Sequence, residues 1–150
     1  MKKQKAILME KVQLKNGLTL EFWDESKHLV GDRWYVGVRA MVAIAIPDET
    51  PDGFVEDHLQ VLRNKLGDKV YFQLLEERNF IPEEEVEELK KRLRDVFLKN
   101  SLTYLSHPDF SRRFLLVKSE EAYKKKLMGP EYLEKFLEDL KGPPSNQGRA

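Results

Sequence analysis

The segment from Arg33 to Ile46 limits what this chain can fold into more than any other. Trp34, Val36, Val38, Ala40, Val42, Ile44 and Ile46 recur at every second position, the period of a β-strand with one face turned to a core. On the alternate positions, Tyr35, Gly37 and Arg39 give way to Met41, Ala43 and Ala45, so the far end is apolar on both faces. A strand of that kind is central or covered. Pro47 has no N–H to donate and ends it. A sheet must therefore assemble around residues 33–46.

Its nearest partner in sequence is a hairpin. Leu8, Val12 and Leu14 are followed by Lys15-Asn16-Gly17 and then by Leu18, Leu20 and Phe22. A two-residue Asn-Gly loop would set Leu18 opposite Lys15 and Leu20 opposite Gln13, mixing apolar and polar side chains on one face. A three-residue loop of Lys15, Asn16 and Gly17 sets Leu14 against Leu18 and Val12 against Leu20, and it places Gly17 in the left-handed conformation of a bulge. The longer loop is expected. Residues 68–81 carry a second alternation at Val70, Phe72 and Leu74, and they read as strand although Glu76-Glu77-Arg78 would suit a helix.

Helical periodicity fills the remainder. Val55, Leu59, Leu62 and Leu66 lie at intervals of four, three and four, closed by Gly67. Pro82 followed by Glu83, Glu84 and Glu85 is a helix start, since carboxylates favour the positive end of the helix dipole. Val86, Leu89, Leu93 and Val96 then form one stripe of a helix expected to reach about Asn100. Phe97, Leu98, Leu102, Tyr104 and Leu105 widen the apolar surface beyond it, which points to burial on two sides. Ser106-His107-Pro108-Asp109 breaks the chain, with His107 serving a turn. Phe114 to Val117 is apolar without a decisive period. Ser119 is placed to cap a helix, and Pro130 opens a last one with Leu133, Phe136, Leu137 and Leu140 inward. The expected fold is a single α+β domain over residues 1–142, an N-terminal antiparallel sheet (the hairpin plus the long strand 33–46) covered by C-terminal helices, with 143–150 a disordered tail.

Composition narrows function mainly by exclusion. The chain has 150 residues, 26 Lys+Arg against 26 Asp+Glu, and no cysteine. Disulfides, thiolate nucleophiles and Cys-ligated metals are thereby removed. No stretch approaches the roughly 18 apolar residues of a membrane span. Lys2, Lys3 and Lys5 followed by Ala6-Ile7-Leu8-Met9 resembles the start of a signal peptide, but Glu10 and Lys11 interrupt it. A cytoplasmic location is expected. Glycine-rich phosphate loops, dinucleotide fingerprints and nucleophile elbows are absent from the sequence.

Three constellations stand out. The first is the polar connection holding Trp23, Asp24, His28, Asp32, Arg33 and Trp34, where an arginine that can clamp an anion and two stacking surfaces lie near carboxylates and a histidine. Its plainer reading is a connection between strands with its charges paired on the surface. The second is acidic: Asp48, Asp52, Asp57 and His58, with Glu49 and Glu56, have the donor chemistry for a divalent ion. Their spacing matches neither an EF-hand nor a His-Glu-x-x-His pair, and Thr50 or Asp52 as a helix N-cap explains it more simply. The third is basic: Arg112, Arg113, Lys124, Lys125 and Lys126 present anion-binding chemistry, yet residues 82–150 hold 14 basic and 13 acidic side chains, a balance that argues against nucleic acid.

The favoured expectation is a small non-catalytic binding or protein-interaction module, acting on a protein partner or on its own copy as a homodimer, with no cofactor. An enzyme with an Asp/His/Arg site in the 24–33 and 48–58 segments is the alternative. An anion or nucleic-acid binder using the basic cluster is the second.

Overall fold

The computed structural model describes residues 6–143. The expected α+β class holds: a five-stranded antiparallel sheet forms first and most helices follow. The strands are β1 (Ile7–Gln13), β2 (Thr19–Asp24), β3 (Lys27–Val30), β4 (Arg33–Ala45) and β5 (Lys69–Pro82). Between β4 and β5 the chain forms α1 (Glu56–Leu66), and after β5 come α2 (Val86–Ser106), α3 (Phe110–Met128) and α4 (Pro130–Glu138). Residues 144–150 of the expected tail at 143–150, and the lysine-rich start at 1–5, lie outside the described residues. Among the described residues, no helix is long and apolar enough to cross a membrane.

β4 is the central strand that its two-faced apolarity requires. β2 pairs with it from Leu20↔Val42 to Asp24↔Val38, and β3 continues the same register with Lys27↔Tyr35 and His28↔Trp34. The two strands thus act as one, broken at Glu25-Ser26. Backbone groups at the break stay satisfied, since Glu25 N donates to Gly37 O at 2.8 Å and Gly37 N to Ser26 Oγ at 3.1 Å. On its other edge β4 pairs with β5. The first hairpin has the three-residue loop: Val12 pairs with Leu20, Leu14 N donates to Leu18 O at 2.8 Å, and Gly17 sits at φ 92°.

Two compact units share the chain. Among the described residues, the first comprises 6–42, 73–106 and 143, and the second 43–72 and 107–142. In the first, Leu20, Phe22, Val36, Val38, Ala40 and Val42 are buried, as are Val86, Leu89, Leu93 and Phe97 of α2. Phe22 and Phe97 meet edge to face at 5.6 Å. The helix is tied to the sheet by ions as well: Arg94 forks onto Glu10 with two bonds of 2.6 Å, and Lys90 reaches Asp24 at 2.7 Å. In the second unit, Ile44, Ile46, Leu59, Leu62 and Val70 are buried with Leu115, Leu133 and Leu137. Phe72, Phe110 and Phe114 form an aromatic cluster at centroid distances of 5.8–6.1 Å.

Several local expectations are corrected. Residues 24–33 are no open connection: most of them form β3 and a two-residue turn at Gly31-Asp32 with Gly31 at φ 57°, because β4 offers an edge that orders whatever follows β2. The N-cap of α1 is Val55, without a side-chain bond, and neither Thr50 nor Asp52 caps it. Thr50 Oγ1 donates to the Glu56 carboxylate instead. Pro82 belongs to the end of β5, and Glu83–Glu85 form a 3-10 turn before α2. α2 runs on to Ser106, beyond Asn100, and Phe114–Val117 belong to α3. Ser119 lies inside α3, buried, its hydroxyl donating back to Leu116 O at 3.2 Å. That bond is the helix-interior alternative to capping.

Replacing Phe22 by Ala removes a fully buried ring and is expected to cost about 3–5 kcal/mol. Urea unfolding of the variant and the parent checks this.

Candidate functional site

β5 is an edge strand. Among the described residues only β4 pairs with it. Which of its backbone groups face outward follows from two bonds: Tyr71 N donates to Leu140 O at 2.9 Å, and Glu77 O accepts from Arg78 Nη1 at 2.7 Å. Odd-numbered residues therefore turn their N–H and C=O groups away from β4, leaving Leu75, Glu77 and Asn79 aimed at the open edge. Toward its end the strand slips. Ile46 N bonds Asp68 O and Glu83 N bonds Asp32 O; Asp32 and Ile46 are 14 positions apart on one side, Asp68 and Glu83 are 15 apart on the other. The extra residue is a bulge, and Phe80 marks it at φ 56° with 64% of its surface exposed. A phenylalanine in the left-handed region costs about 1–2 kcal/mol.

Beside this edge runs a groove of about 250 Å³ between β5 and α2. Leu89, Leu93 and Phe97 form its floor, and Leu74 and Val96, exposed by 43% and 49%, its apolar walls. Glu76, Arg78, Arg92, Asn100 and Ser101 complete the lining with polar groups. The arrangement follows from two periodicities. Leu74, Glu76 and Arg78 are the even positions of β5, while 92, 96 and 100 form a helical row adjoining the buried row 89, 93 and 97. Glu76 and Arg78 face each other loosely within the strand, at 3.8 Å.

Odd positions of β5 serve a polar ladder. Tyr35 lies over Gly37, where any Cβ would come within 2.7 Å of its hydroxyl oxygen, and that hydroxyl donates to Glu77 at 2.6 Å. Burial and the Glu77 carboxylate together push the Tyr35 hydroxyl well above the usual phenol range. Arg39 grips Glu25 with bonds of 2.5 and 3.1 Å and donates to Gln73 at 3.1 Å.

The structure scatters the residues singled out by sequence. In the first unit, Trp23 Nε1 donates to Glu21 at 3.0 Å. His28 pairs across the strands with Trp34, the rings 5.6 Å apart, and its Nε2 lies 2.5 Å from Gly31 O. Trp34 Nε1 is buried with no partner among the described residues. Asp32 and Arg33 sit at the turn, 3.6 Å apart and largely exposed. Asp24 is withdrawn from them by Lys90. Burial pushes its carboxyl up, but hydrogen bonds from Lys90 and Ser26 outweigh this and hold it below the usual carboxylate range.

The other candidates belong to the second unit. Asp48, Asp52 and Asp57 are exposed, and His58 lies against the Tyr123 ring at 4.7 Å. Among the described residues, no three His, Cys, Asp or Glu side chains gather as a metal site would require. Arg112 donates to Asp52 O at 2.8 Å and stacks over Phe54 at 5.2 Å. Arg113 pairs with Asp109 at 3.7 Å and Lys124 with Glu120 at 3.4 Å, so part of the basic cluster is spent on neighbours within its own unit. Lys125 and Lys126 lie in the last turn of α3, where cations complement the dipole.

Leu74, Glu76, Arg78, Phe80 and Val96 were not candidates by sequence. The alternation through Val70, Phe72 and Leu74 marked a strand, but nothing local says that one edge of it stays open. Comparison with protein-family models, curated proteins and solved structures finds no match.

The Asp24–Lys90 pair gives a pH signature. A carboxyl depressed in the folded state adds stability that is complete above its unfolded value of about 3.9 and lost as pH falls through the folded value. Asp24→Asn should therefore destabilise the protein at pH 7, and the difference from the parent should be smaller at a pH below the unfolded value of about 3.9. Urea midpoints at the two pH values measure it.

Proposed function

We propose that this chain is a non-catalytic protein-interaction module, and that its contact surface is the open edge of β5 together with the groove beside α2. One observation carries the reading: backbone groups at Leu75, Glu77 and Asn79 point out of the sheet directly alongside exposed Leu74 and Val96. Edge backbone supplies affinity to an added strand, and an apolar groove lined by alternate side chains supplies selectivity. An unpaired strand with apolar neighbours left in water is otherwise a hazard, which proteins limit by covering or charging the edge. The held-out Phe80 ring adds apolar surface on the same strand.

The surface suits an extended polypeptide better than a small molecule. Its floor of Leu89, Leu93 and Phe97 carries no titratable side chain, and its polar groups are divided between β5 (Glu76, Arg78) and α2 (Arg92, Asn100, Ser101).

A photo-crosslinking amino acid at Val96 tests this directly. Irradiation in producing cells should give a discrete protein adduct, whereas the same residue at Val117, which is equally exposed at 51%, should not. Absence of any adduct from Val96 would sink the reading.

A further inference from the structure

We infer that the strand added to β5 belongs to a second copy of this chain, paired antiparallel about a two-fold axis through Glu77. The inference rests on the interaction reading above and names its partner. Self-pairing of an edge strand is restricted by backbone parity. Because odd-numbered residues of β5 turn their N–H and C=O groups outward, an odd residue must meet an odd residue of the other copy, and even must meet even. Only a few two-fold registers satisfy this, with the axis at 75, 76, 77 or 78.

Side chains separate these registers. An axis at Glu76 sets Glu76 against its own copy in the close, non-hydrogen-bonded pairing. An axis at Arg78 does the same with two guanidiniums. With the axis at Leu75, Leu74 faces Glu76. The axis at Glu77 alone sets Glu76 opposite Arg78 twice, and it brings Leu74 of each copy toward the bulge that carries Phe80 in the other. All four side chains are at least 42% exposed in the single chain, so each has surface to bury. Within one chain Glu76 and Arg78 stand 3.8 Å apart on the same face; two copies would close them into an alternating ring of four charges, the favourable cross-strand arrangement. Leu74 and the Phe80 ring, 43% and 64% exposed in the single chain, add apolar surface on either side of that charge ring. On the opposite face the two Glu77 carboxylates meet, each already accepting a bond from Tyr35. That like-charge contact weakens the pairing and gives it a signature.

The experiment is sedimentation velocity with native mass spectrometry on the full chain and three variants, Glu76→Arg, Arg78→Glu and Glu77→Gln. The parent should sediment as a dimer of 17.7 kDa chains. Each charge reversal sets like charges opposite one another at two symmetric places and should weaken the dimer on the order of tenfold or more. Mixed together, the two reversed chains become complementary at both places and should form the heterodimer that neither makes with itself. That outcome does not arise from the pair within one chain, which is broken in both variants. Glu77→Gln keeps an acceptor for Tyr35 and should tighten the dimer severalfold. A parent monomeric at about 100 μM, or reversed chains that fail to combine, overturns the inference. A Val96 adduct with a protein other than this chain would overturn it too, while leaving the interaction reading standing.

Discussion

Everything in the first unit depends on backbone pairing along both edges of β4. A strand whose Val36 and Val42 are fully buried cannot leave its N–H and C=O groups to water, and each unpaired group would cost about as much as a lost hydrogen bond. One edge is served by β2 and β3 in a single register, the other by β5. The demand is strong enough to order a segment of poor strand character. Lys27-His28-Leu29-Val30 is exposed throughout, so burial gains it little; what holds it is the row of donors and acceptors on β4.

Ion pairs then fix how α2 meets the sheet. Lys90 and Asp24 are 14% and 16% exposed, dry enough that removing one partner leaves the other charge stranded. Arg94 combines the bidentate grip on Glu10 with a position over the Phe22 ring at 6.0 Å. Such contacts orient more than they stabilise, since desolvation offsets much of the attraction. An oriented α2 is what gives the groove beside β5 its shape, by setting Val96 opposite Leu74. The apolar floor would form at many helix angles, whereas the two walls would not.

Constraint and opportunity coincide on β5. Its Glu77 and Gln73 are taken up by Tyr35 and Arg39, which stiffen the strand against β4, and Leu74, Glu76 and Arg78 face the groove. The bulge at Phe80 ends regular pairing before Pro82 and holds an aromatic ring in water at a conformational cost. Charges at Glu76, Glu77 and Arg78 make the edge unattractive to an arbitrary strand, and under the dimer inferred above Glu76 and Arg78 become complementary to the same strand reversed.

Much of the fold was legible because it rests on period and turn chemistry. The alternation through residues 33–46, the three-residue loop at Gly17, the strand through Val70, Phe72 and Leu74, and the helix closed by Gly67 each follow from contacts between near neighbours. The candidate surface was not legible. Its signals are an ion pair spanning 84 positions, a helix row set beside a strand row, and an edge left unpaired, none of which has a local trace. The same reason explains the misplacements: Asp24 in a polar connection looked available, and only the folded chain brings Lys90 to it; Ser119 looked like a cap, and only packing buries it within α3. Sequence by itself determined which segments are strands and helices and which faces are apolar, since those are set by side-chain spacing within a few residues. Tertiary structure decided which polar groups are consumed and which edge stays open, because both depend on partners that the chain brings together only when its core closes.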